Sequence, residues 1–340
     1  MRLVSALLRQ LTTKMHCAAR IFKSLDIRRS AGSRTPRQMR SSLLWCVNAT
    51  TSFRCDGGDR MLGNAGETTL VRRPDGRELA VCWWGMLDGR PMFVLHGSPG
   101  SRFFRHVGSG YVDHGAQVIT YDRPGYGMST RMPGRRVVDA ATDIGVIADA
   151  FGVAEFGVVG ISGGAPCALA AAAVLSQRVS RCATVVGDAP FTAPDLDFFA
   201  GLDEHERAGW RRALAGAEAL EARGRVLFAD VDASVSSDSI ADIDAEMWPQ
   251  MLREALRQGS AGWVDDGLAE VIDWGFDLDQ VHAPTRLMQA RGDSSVPAAH
   301  AEWLVAHLPN AELIWVDGDH FGPRDEPEMD LIGWACRAAA

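Results

Sequence analysis

Residues Val158 to Pro166 read VVGISGGAP, with one serine set between glycines at what looks like a strand end. A serine lifted out of the backbone at such a turn can attack a carbonyl carbon. It needs a histidine to take its proton and a carboxylate to fix that histidine's tautomer. The pattern G-x-S-x-G is short enough to arise by chance, so the partners must be found elsewhere in the chain.

Positioning such groups falls to a series of short apolar runs. TTLVRRPDGRELAVCWWG, from Thr68, reads as two strands around Pro-Asp-Gly. PMFVLHG (Pro91–Gly97), AQVITYDRPGYG (Ala116–Gly127), EFGVVGIS (Glu155–Ser162), RCATVVGDAP (Arg181–Pro190), TRLMQARGD (Thr285–Asp293) and AELIWVDGD (Ala311–Asp319) each end in turn residues. Apolar runs without alternation suit strands buried on both faces, hence a parallel sheet. Helical stretches separate them at Val137–Phe151, Ala165–Ser176, Ala298–Leu308 and Glu326–Arg337. Residues 191–280 hold no good strand, only helical pieces carrying Trp210, Trp248, Trp263 and Trp274, at least half of which are read as packing between small helices. The expected architecture is α/β: a mostly parallel, doubly wound, eight-stranded sheet with a helical cap inserted after strand 6. Its core would be 61–190 and 281–340, and its cap 191–280.

In a parallel sheet, functional groups gather at the carboxyl ends of the strands. Those ends carry His96-Gly97-Ser98-Pro99-Gly100, Asp122-Arg123-Pro124-Gly125, Ser162, Asp188, Asp293 and His320. The set contains a serine, a histidine and acids in the chain order nucleophile, acid, base. Gly160 and Gly164 suit an elbow where side chains would strike the neighbouring strand and helix.

With HGSPG, DRPGYG and GISGG in place, the chain resembles the α/β-hydrolase fold superfamily, in its capped serine hydrolase branch. The likeness runs from about Thr68 to the C-terminus and is weakest in the cap. It implies Ser162 as nucleophile, His320 in DGDHFGP as general base and Asp293 in ARGDSSVP as the acid. Asp188 is the alternative acid, because some relatives place theirs after the sixth strand. The backbone N–H groups of Ser98 and Gly163 would form the oxyanion hole. No metal or organic cofactor is implied. His96 is expected to shape its own turn, Asp122 to anchor its own loop, and His300 and His307 to lie on a solvated helix face. Gly163, smaller than the residue many relatives carry there, would leave the pocket floor wide.

Charge narrows the partners. Residues 1–60 hold 12 Lys/Arg against 3 Asp/Glu, the remainder 23 against 40. An acidic body argues against nucleic acid, and no apolar run approaches the roughly 18 residues of a membrane span. Seven scattered cysteines without a C-x-x-C pair fit reduced thiols and a cytoplasmic setting. Residues 1–60 are set outside the fold, either as an extension before Met61 or as an Arg- and Ser-rich targeting presequence.

A serine at the elbow disfavours the epoxide-opening and dehalogenating relatives, which use aspartate there. Cleavage of an ester, thioester, lactone or amide of a small to medium, largely apolar molecule is the expected activity. A C–C bond hydrolase, a peptidase and a silent ligand receptor on the same fold are the alternatives.

Overall fold

Pro74, Asp75 and Gly76 reverse the chain between two antiparallel strands, β1 (Thr69–Arg72) and β2 (Glu78–Met86). Gly76 takes φ +88°, the left-handed region a side chain would oppose, and the Asp75 carboxylate accepts the Arg77 N–H at 3.0 Å. The computed structural model describes residues 61–62, 67–104, 110–229, 243–322 and 325–337. The expectations for residues 1–60 lie outside the described residues.

Six further strands follow: β3 (Arg90–Leu95), β4 (Ala116–Tyr121), β5 (Phe156–Ile161), β6 (Val179–Val185), β7 (Thr285–Ala290) and β8 (Ala311–Val316). Their order across the sheet is β1-β2-β4-β3-β5-β6-β7-β8, and a two-residue strand, Met61–Leu62, is the ninth member. β2 runs antiparallel to β4, and every pairing from β4 to β8 is parallel. The unalternating runs have their physical reason here. All six residues of β5 are buried, because helices cover both faces.

On one face α2 (Asp139–Ala150), α3 (Ala165–Val174) and α8 (Ala298–His307) pack Ile144, Ile147, Leu169 and Leu304 over Phe93, Phe156 and Val158. On the other, α1 (Gly110–Asp113) and α9 (Asp325–Ala335) bring Tyr111, Leu331 and Ile332 to Met92, Val94 and Val118. α3 is mostly alanine and almost wholly buried. Small side chains let it lie close to β5, and it starts three residues after Ser162.

Between β6 and β7 run α4 (Glu204–Ala215), α5 (Ala217–Leu227), α6 (Ile243–Ala255) and α7 (Ala261–Glu270). Asp203 caps α4 by accepting the Glu206 N–H at 2.9 Å. Ala213, Leu220 and Val264 form a small core against which Trp263 packs. Trp274 is buried, Trp210 joins Phe191, Phe198 and Phe199, and Trp248 is 39% exposed beside Phe104. The packing role expected for the tryptophans thus fits Trp263, Trp210 and Trp274 better than Trp248.

Candidate active site

The sheet reverses its winding around β3, which lies between β4 and β5, so the ends of β3 and β5 open onto one crevice. Ser162 sits at the end of β5 with φ +51°, a strained value for a residue with a side chain. A short 3-10 turn, Ser162–Gly164, then leads into α3. The elbow closes because its flanking positions lack side chains. A Cβ on Gly160 would stand 2.7 Å from Ala165 Cα, and one on Gly164 would stand 2.6 Å from the His96 carbonyl oxygen. Gly160→Ala is therefore expected to cost about 1–3 kcal/mol by overpacking. It should show as a lower urea midpoint with an unchanged slope.

Asp293 lies in the turn after β7. Its Oδ1 accepts the N–H groups of Ser295 at 2.9 Å and Val296 at 2.8 Å. That leaves Oδ2 facing His320 Nδ1 at 2.9 Å. His320, in the turn after β8, brings Nε2 to 3.0 Å from Ser162 Oγ. A proton on Nδ1 satisfies both bonds, with Nε2 accepting from the serine hydroxyl; this tautomer is assigned from the partners. The structure thus brings Ser162, His320 and Asp293 together. Asp188 lies 3.5 Å from His300 Nδ1. Burial, with the nearby Glu270, Glu206 and Asp293 carboxyls, pushes its pKa well up.

His300 corrects the expectation of a solvated face. It is fully buried, accepting the Ala189 N–H at Nδ1 and meeting the Phe198 carbonyl at Nε2. Burial lowers its pKa. Helical spacing places it on α8 but says nothing of the loop after β6 that covers it. His307 is exposed and stacks on Trp303.

His96 bonds the Gly97 carbonyl through Nδ1 at 2.7 Å and is buried. Burial and the Arg123 charge hold its pKa well below the usual range. Asp122 accepts the N–H of Met128 in its own loop and also that of Arg102. Ser98 donates its hydroxyl to Asp266 Oδ2 at 2.5 Å and accepts from Arg123 Nη2 at 2.9 Å. Gly163 does not leave an open floor: a Cβ there would stand 2.5 Å from Ser98 Oγ and 3.2 Å from Glu270 Oε1. Those two groups fill the space.

The largest feature missing from the sequence reading is a buried ionic knot under this turn. Asp266, on α7, accepts from Arg123 (2.6 Å), Arg135 (2.6 Å) and Tyr126 (2.6 Å) as well as Ser98. The signal available was Asp265-Asp266 inside an otherwise amphipathic helix, set against arginines in an apolar stretch. Among the described residues no group of three or more His, Cys, Asp or Glu could hold a metal ion. No described helix is long and apolar enough to cross a membrane.

A strand order with one antiparallel edge, and a serine elbow at the switch point, define an α/β protein of the hydrolase type. A family model described as alpha/beta hydrolase fold matches residues 90–327, and the chain belongs to that family. The solved esterase of Exiguobacterium antarcticum superposes with a TM-score of 0.60 at 20% identity, over 80% of this chain and 100% of that one. An alpha/beta hydrolase fold protein of Nakamurella multipartita gives 0.55 at 23%, over 81% and 100%. These likenesses bear on the fold alone. The chain is also 44% identical over 45 residues to the pimeloyl-[acyl-carrier protein] methyl ester esterase of Aromatoleum aromaticum (strain DSM 19018 / LMG 30748 / EbN1). That stretch is 13% of this chain and spans only 18% of that relative.

Proposed function

We propose that the protein is a serine hydrolase that cleaves an ester-like bond of a small to medium, largely apolar molecule through an acyl-enzyme. One observation carries this: the unbroken relay from Asp293 Oδ2 to His320 Nδ1 (2.9 Å) and from His320 Nε2 to Ser162 Oγ (3.0 Å). In the first half-reaction His320 takes the Ser162 proton as Oγ attacks the carbonyl carbon, then gives it to the leaving group. In the second, a water attacks the acyl-serine with the same histidine as base. Backbone N–H groups of Gly163 and Ser98 are proposed as oxyanion donors, and residues 191–280 as the cap that supplies the acyl pocket. The Trp, Phe and Met content of residues 191–280 supports an apolar substrate. A serine rather than an aspartate at 162 weighs against epoxide opening, since an alkyl-enzyme ester needs a carboxylate nucleophile.

A fluorophosphonate probe tests the proposal. The serine oxygen should displace fluoride and leave a covalent label on Ser162, found by peptide mass mapping, while Ser162→Ala stays unlabelled and folded. Label elsewhere, or none on wild type, would sink it.

A further inference from the structure

Asp266 and Glu270 are four residues apart on α7 and so share one face of that helix. Asp266 bonds Ser98 in the turn after β3, Glu270 reaches Gly163 in the elbow after β5, and their circumstances differ. Asp266 engages the guanidinium groups of Arg123 and Arg135 together, at 2.6 Å each. Among the described residues Glu270 forms no ion pair. Its Oε1 lies 3.2 Å from the point a Cβ on Gly163 would occupy, against the residue that follows Ser162. An ionised carboxylate there would oppose the negative charge that develops on a carbonyl oxygen bound at Gly163. An uncharged carboxylic acid would instead offer a donor to it, a device open to any carboxyl kept neutral by its surroundings.

We propose that Glu270 is a further active-site residue, acting as a neutral acid that donates a hydrogen bond to the acyl oxygen of the substrate beside Gly163. The role rests on Ser162 being the nucleophile proposed above. Glu270 is half-buried, and its desolvation together with the fixed Asp266 charge pushes its carboxyl up to about 8, against the opposing pull of Arg123 and Arg135. The other titratable groups facing it are Asp188, from the loop after β6, and Cys167, on α3. Cys167 is pushed up to about 11 by burial, so it stays neutral through the range of interest. Asp188 is also raised, and only substitution separates the two.

The test is kcat/KM for p-nitrophenyl butyrate from pH 6 to 10, for wild type, Glu270→Gln and Glu270→Ala, with fluorophosphonate labelling rates measured alongside. Wild type should lose activity above a midpoint near pH 8, about tenfold per further pH unit. Glu270→Gln, a neutral donor of similar shape, should keep wild-type activity at pH 7 within about threefold and lose the alkaline limb. Glu270→Ala should fall about 100-fold at pH 7, the usual effect of removing one such donor. Thermal unfolding reads protonation without activity. The folded pKa is raised, so the contribution of Glu270 is present at low pH and is lost as pH rises through about 8. Glu270→Gln should therefore gain on wild type in Tm as pH rises.

Three results would each overturn the role: an alkaline limb that survives in Glu270→Gln, a Gln variant as impaired at pH 7 as the Ala variant, or an Ala variant as active as wild type. The second would mean that the carboxylate charge is what the substrate needs. Failure of wild type to label at all would overturn the nucleophile assignment instead, whatever the Tm series shows.

Discussion

Replacing His320 with alanine is expected to lower kcat for p-nitrophenyl butyrate by about a millionfold while leaving KM within a few fold. Among the described residues His320 alone is bonded to both other members of the relay. Without it the Ser162 hydroxyl keeps its proton and the leaving group receives none. Ser162→Ala should cost about as much, and the double variant little more than either alone, because a relay broken at one point gains nothing from its remaining parts. Asp293→Ala should cost less, about ten-thousandfold. The imidazole would survive but lose its fixed tautomer and the partner of its cation. Near-UV circular dichroism should be unchanged in all three. Steady-state rates with burst-phase titration make the measurement. A His320→Ala loss of only tenfold, or single losses that multiply in the double variant, would mean that the reaction runs through other groups.

The grouping of Ser162, His320 and Asp293 proposed as a triad was legible in the sequence because each lies at or just beyond a strand end, and strand ends in a parallel sheet converge. The apolar runs that became β3 to β8 carry their own signal in length and lack of alternation. Asp293 could be told from Asp188 only by likeness to relatives, and the geometry supplies a local reason. Ser295 and Val296 hold one Asp293 oxygen and leave the other to His320, while Asp188 is turned toward His300. Pairings across long sequence separations were not legible. Asp266 meets Ser98 across 168 residues and Arg123 across 143. No spacing rule reaches that far, since the match depends on where α7 docks and not on its own periodicity. Glu270 was invisible for the same reason, and so was the burial of His300.

The second large effect is expected at Asp266. Burial alone would raise its pKa, yet Arg123 and Arg135 hold it far below the usual carboxylate range. Asp266→Ala would leave two guanidinium groups inside the protein without a counter-charge, a change that typically costs about 3–5 kcal/mol. For a domain of this size that corresponds to a fall in Tm of roughly 10 °C. The sign of the pH dependence follows. A depressed folded pKa gives stability that is present above the unfolded value of about 3.9 and is lost as pH falls below it. The gap between wild type and Asp266→Asn in urea unfolding should therefore stay constant from pH 5 to 8 and shrink below pH 4. A gap that widens on acidification, or an alanine variant as stable as wild type, would refute the pairing. Stability and turnover should also come apart. Replacing Arg123, Arg135 and Asp266 together by apolar residues of similar volume removes the buried charges with their partners, so much of the stability should return. Turnover should not, because the Ser98 hydroxyl and the His96 carbonyl would have lost the groups that fix their turn beside Gly163.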